Sequence, residues 1–81
     1  MDTIACHVTY SGRVQGVGFR FTVVQLARQR AGVVGYVRNL HNGDVDVWAE
    51  GPADEVDAFI RDIATGPHAP HIRHAEVVRA E

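Results

Sequence analysis

The sequence predicts an α+β fold in the order β-α-β-β-α-β, one antiparallel sheet with both helices on one face. Three patterns carry that expectation. The chain opens on a strictly alternating apolar segment. Two segments of helical spacing follow, one on each side of a hairpin, and a short apolar alternation closes the chain. With 81 residues, 46% of them hydrophobic, residues 1–81 are expected to form a single domain with an ordinary core.

Ile4, Cys6, Val8 and Tyr10 alternate with Ala5, His7, Thr9 and Ser11, the period of a strand with one buried face. A glycine-rich turn follows. Phe19, Val23, Leu26, Ala27 and Ala31 then recur at helical spacing, and Gly32 stands where a helix end needs a left-handed residue. Residues 33–40 and 44–50 read as two strands joined by a tight turn at His41-Asn42-Gly43. A two-residue Asn-Gly turn would set Arg38 on the face of Val45, Val47 and Ala49. A three-residue loop with Gly43 left-handed groups Val37 with them instead. The second register also sets Tyr36 opposite Trp48 and Arg38 opposite Asp46, both favourable pairs, and puts Asn39 on the helix-covered face. Gly51-Pro52 ends the hairpin. Val56, Phe59, Ile60 and Ile63 mark the second helix, with Asp54, Glu55 and Asp57 near its positive end, and Gly66-Pro67 stops it. Ile72, Ala75 and Val77 suggest the last strand. This is the ferredoxin-like, split βαβ arrangement. Its helical crossover makes the first two strands parallel, so the turn after Ser11 and Asn39 must lie at the same end of the sheet.

The net charge of −2 is unevenly distributed. Residues 3–43 carry Arg13, Arg20, Arg28, Arg30 and Arg38 and no acidic residue, while the acids cluster from Asp44 onward. That asymmetry points to a local anion site rather than a polyanion surface. The approach to the first helix, Gly16-Val17-Gly18-Phe19, has no Ser, Thr, Asp or Asn to cap the orphan amides. Gly16 and Gly18 let the backbone curl around an anion, and Arg20 can bind two phosphate oxygens at once. A cation in the first turn opposes the helix dipole by about 0.3–1 kcal/mol, which a bound anion offsets. On spacing alone, a plain tight turn with a solvated Arg20 remains open. The turn is neither a dinucleotide loop nor a P-loop: it lacks the third glycine of the one and the Lys-Ser/Thr of the other.

Residues 11–20, Ser-Gly-Arg-Val-Gln-Gly-Val-Gly-Phe-Arg, together with Gly35-Tyr36-Val37-Arg38-Asn39, resemble the two signature segments of the acylphosphatases. The similarity in length and element order extends from about Ile4 to Val78. The resemblance implies hydrolysis of carboxyl-phosphate mixed anhydrides by water, without a metal, a cofactor or a covalent intermediate. It also implies that Arg20 and the backbone amides of Gly16, Val17, Gly18, Phe19 and Arg20 hold the phosphoryl group, and that Asn39 holds the attacking water. Members of the family usually continue into a short fifth strand beside the second. This sequence stops at Glu81, and that strand is expected to be missing. The helix between Arg20 and Gly32 is one residue longer than the family pattern.

Other readings carry less weight. His68, His71 and His74 could suggest zinc, but Pro67 and Pro70 oppose a regular helix and a strand would put His71 and His74 on opposite faces, so no metal is expected. Cys6 reads as a small buried hydrophobe. Tyr36 and Trp48 read as an exposed cross-strand pair, and Asp46 and Glu50 as solvated. The lone cysteine, the absence of a basic-apolar leader and the short apolar runs predict a cytoplasmic protein with no membrane partner. The resemblance implies a small acyl phosphate as its substrate, and a monomer with no nucleic-acid partner is expected. A non-catalytic phosphate-binding or interaction module of the same fold is the alternative. An RNA-binding module ranks below it, because the second half is acidic.

Overall fold

The computed structural model describes residues 2–80. Its elements are β1 (Thr3–Gly12), α1 (Phe19–Arg28), β2 (Val34–Asn39), β3 (Val45–Pro52), α2 (Ala53–Thr65), a 3₁₀ turn at Ala69–His71, and β4 (Ile72–Ala80). The sheet runs β2-β3-β1-β4, every neighbouring pair antiparallel. β1 and β2 both run against β3, so they are parallel to each other, as the crossover helix requires. Among the described residues there are four strands, and β2 lies at one edge of the sheet.

The alternation in β1 is expressed directly. Ile4, Cys6, Val8 and Tyr10 are buried, and the residues between them face the other side. Val45, Val47 and Ala49 of β3 lie on the same buried face, against Phe19 and Val23 of α1 and Val56, Phe59 and Ile63 of α2. The hairpin takes the three-residue loop. Tyr36 pairs with Trp48, Val37 with Val47, Arg38 with Asp46 and Asn39 with Val45. Leu40 N–H donates to Asp44 O at 2.8 Å, Gly43 N–H to Leu40 O at 3.2 Å, and Gly43 has φ 96°. That positive φ is what a bulged hairpin needs and what a side chain resists.

Four details differ from the sequence reading. α1 ends at Arg28, well before Gly32. Gln29 and Arg30 donate back to Leu26 and Ala27 in tight i→i−3 bonds, and Ala31 lies in the turn beyond. Helical spacing thus continued past the point where the backbone turns away. β3 runs through Gly51 to Pro52, pairing them with Ile4 and Thr3, so Glu50 is not its end. Segment 69–71 is a short 3₁₀ turn: the prolines forbid a regular helix but permit this. The largest departure concerns Asp46, which is 2% exposed rather than solvated. Its carboxylate is bonded on one oxygen by His7 Nε2 and on the other by Arg38 Nε at 2.9 Å. These longer side chains from the flanking strands cover the face that no helix covers, and Arg38 also lies over the Tyr36 ring. Glu50 is exposed and accepts from Trp48 Nε1, which is itself half-buried.

Candidate active site

β1 and β2 deliver their C-terminal ends, Gly12 and Asn39, to the same end of the sheet. Residues 13–18 connect β1 to α1 across that end. The connection is fastened at three points. Val14 sends its side chain into the core, where it is 1% exposed. Arg13 N–H donates to His71 O at 2.9 Å. Gln15 Nε2 donates to Leu40 O at 2.7 Å and to Asp44 O at 2.8 Å, tying the loop to the residue pair that closes the β2–β3 turn. At the far side Thr22 Oγ1 and His68 Nε2 lie 3.1 Å apart, and the His68 ring meets Phe19 edge-on.

Gly18 is the N-cap of α1, with φ 82° and no side-chain cap bond; Gly16 has φ 74°. A Cβ on either glycine would meet nothing within 4 Å. These glycines answer to backbone conformation, and the space above them is open. The first helical bond runs from Thr22 N–H to Gly18 O at 3.1 Å. Among the described residues, the backbone N–H groups of residues 16–21 donate no hydrogen bond. Six successive free donors at the positive end of a helix, with no acid in the first turn, concentrate positive potential there.

One cleft of about 180 Å³ is lined by Val14, Gly16, Gly18, Phe19, Arg20, Phe21 and Asn39. At roughly 30 Å³ per water, that is room for about six waters, or a phosphoryl group with a water beside it. Gly16, Gly18, Phe19, Arg20 and Asn39 are thereby brought together. Val17 is not in the lining and turns its side chain to solvent. Arg20 and Asn39 are both exposed, and Arg20 has no acidic partner within 4.0 Å among the described residues. Val14, Phe21 and the Gln15 tie were missed by sequence reasoning. The signal for Gln15 was its amide in a loop otherwise built of Gly, Val and Arg, but its acceptors belong to the distant hairpin.

This pairing of an uncapped amide run with Arg20 and Asn39 coincides with a family match. A profile of the acylphosphatase family matches residues 6–81. The chain belongs to the acylphosphatase family. An acylphosphatase of Bifidobacterium longum is 44% identical over 71 residues, covering 88% of this chain and 72% of the relative. One from Archaeoglobus fulgidus is 41% identical over 78 residues, covering 96% and 86%. The crystal structure of an acylphosphatase from Bacillus subtilis superposes with a TM-score of 0.87 at 31% identity, covering 96% of this chain and 86% of that one. As an acylphosphatase, the protein hydrolyses acyl phosphates to carboxylate and inorganic phosphate. Its ferredoxin-like sheet and two helices are the fold its family shares.

The residues set aside at first also have places in this acylphosphatase. Cys6 is buried in the core. Among the described residues, no three His, Cys, Asp or Glu side chains are grouped to hold a metal ion. Tyr36 and Trp48 lie opposite each other on the sheet face away from the helices, outside the cleft. No helix among the described residues is long and apolar enough to cross a membrane.

Proposed function

We propose that residues 1–81 act as one acylphosphatase unit whose phosphoryl site is the cleft at the start of α1. In this reading the backbone amides of Gly16, Val17, Gly18, Phe19 and Arg20 and the Arg20 guanidinium bind the phosphoryl oxygens. Asn39 orients the attacking water through an amide that both donates and accepts. The observation that carries the reading is the run of unpartnered N–H groups opening on the same cleft as Arg20 and Asn39.

Chemistry supports it. Water attacks phosphorus, the P–O bond to the acyl oxygen breaks, and the departing carboxylate is a stable anion that needs no proton from an acid. The difficult requirements are then position and charge: water held in line, and negative charge on the equatorial oxygens met by fixed donors. Arg20 and the amides supply the second, Asn39 the first. Neither a metal nor a covalent intermediate is called for by this division of labour. The phosphate-binding-loop role of residues 12–20 follows from the same proposal. A cytoplasmic location is supported by the lone, buried Cys6, which suits a reducing compartment.

The test is hydrolysis of benzoyl phosphate in excess chelator by the wild type and by Arg20→Ala and Asn39→Ala. Loss of a donor to developing charge should cost Arg20→Ala about 100-fold or more in kcat, loss of the held water should cost Asn39→Ala a comparable factor, and neither variant should have a lower Tm than the wild type. Wild-type turnover in both variants would sink the residue assignment. Phosphate binding with no turnover by the wild type would favour a non-catalytic module instead.

A further inference from the structure

A second cleft adjoins the first. It is lined by Arg20, Phe21, Val24, Gln25, Arg28 and Val37 and shares Arg20 and Phe21 with the phosphoryl cleft. Arg20, Val24 and Arg28 stand four residues apart along α1, so they occupy one face of the helix. At 1.5 Å per residue, Arg20 and Arg28 are about 12 Å apart along the axis. Between them lies an apolar strip of Val24, Val37 and the Phe21 ring, and that ring is 69% exposed although large and apolar.

An unpaired arginine stands at each end of this strip, a state shared by Arg13, Arg61 and Arg73 elsewhere among the described residues. Arg30 is paired with Asp62 and Glu55, Arg38 with Asp46, and Arg79 with Asp57. Arg20 and Arg28 have no acidic partner within 4.0 Å among the described residues. Arg28 stands in the last turn of α1, where a cation complements the helix dipole. That accounts for a cation at this height on the helix but leaves unexplained its place in a cleft that shares Arg20 and Phe21 with the proposed phosphoryl cleft.

Resting on the site reading above, we propose that this second cleft is the acyl subsite and that Arg28 is its specificity-determining residue. The substrate class it favours is an acyl phosphate whose acyl group ends in a second anion, a carboxylate at the far end of a short methylene chain. The phosphoryl group sits on the amides of residues 16–20, the methylenes lie on Val24, Val37 and Phe21, and the terminal carboxylate meets the guanidinium of Arg28. Gln25 adds a side-chain amide beside it. The reaction is unchanged; only the choice of leaving carboxylate is set here. An arginine suits this role because its planar fork donates to both oxygens of a carboxylate at once.

The experiment compares kcat/KM across malonyl, succinyl, glutaryl and adipyl phosphate, with benzoyl phosphate as the substrate lacking a second anion, for the wild type and Arg28→Gln. A fixed cation selects one chain length, so the wild type should peak within the series. Arg28→Gln should flatten that peak by about tenfold, the loss expected when one charge-assisted contact goes, and lower benzoyl phosphate, which has no second anion, by a clearly smaller factor. A monotonic wild-type series, an unchanged Arg28→Gln, or equal losses on benzoyl and dicarboxylic substrates would each overturn the subsite. The underlying site reading fails separately, through Arg20→Ala that keeps its activity on benzoyl phosphate.

Discussion

Gln15 makes no contact with the cleft, yet its substitution should damage both stability and turnover. Its Nε2 donates two short hydrogen bonds, to Leu40 O and Asp44 O, and these join the loop before α1 to the hairpin that carries Asn39. Each such bond contributes about 0.5–1.5 kcal/mol net, so Gln15→Leu, which keeps the size and removes both donors, should cost about 1–3 kcal/mol. The upper half of that range applies only if both carbonyls stay shut off from water; the side chain is half-buried, so a value near 2 kcal/mol is expected. For a domain of this size that lowers Tm by about 8–16 °C. Gln15→Glu should be worse than Gln15→Leu, because it points a carboxylate at two carbonyl oxygens. Urea unfolding would measure the loss as a lower midpoint at constant slope. Benzoyl phosphate kinetics, at a temperature where all three proteins are folded, should show kcat falling in the same order as stability, because Asn39 and the amides lose their common brace. If both variants match the wild type in stability and kcat, the tie contributes nothing and the account of how the site is assembled is wrong.

Other expectations are simpler. Tyr10 is buried edge-on to Phe19 with no partner for its hydroxyl among the described residues, so Tyr10→Phe should raise stability by about 1 kcal/mol in the same urea assay. Burial also pushes the Tyr10 phenol above its ordinary 10.0, so the folded state holds that proton more tightly than the unfolded chain. This stabilisation is complete below that value and is lost as pH rises beyond it. Alkaline unfolding curves should therefore show a weaker pH dependence in Tyr10→Phe than in the wild type. Gly18→Ala and Gly43→Ala both force a side chain into left-handed backbone with nothing to collide against. Each should cost about 1–2 kcal/mol. Only Gly18→Ala should raise the Ki for inorganic phosphate, since Gly43 does not line the cleft.

Much of this protein was settled by local rules that a sequence exposes. The period-two run from Ile4 to Tyr10 determined which face of β1 is buried, because successive side chains in a strand point to opposite sides. The His41-Asn42-Gly43 loop determined the hairpin register, because a left-handed Gly43 with a bulge fits Val37 to the core where the shorter turn would put Arg38 there. The uncapped glycine approach to Arg20 marked the candidate anion site, since helix ends leave amides whose partners must be found somewhere. Asn39 was added only through topology and a resemblance in motif.

Tertiary structure decided the rest. Asp46 reads as a surface acid in sequence and lies buried because His7 and Arg38, on strands to either side, close over it. The stop of α1 at Arg28 was set by where the chain must turn to reach β2, not by the apolar spacing that continues to Ala31. Gln15 found its acceptors on the hairpin, and the loop's first amide found His71. These contacts join residues far apart along the chain, and the identity of one partner carries no trace of the other. Periodicity and turn chemistry act between neighbours, so they can be read from a string; closure of a side chain over a distant group exists only once the sheet has formed.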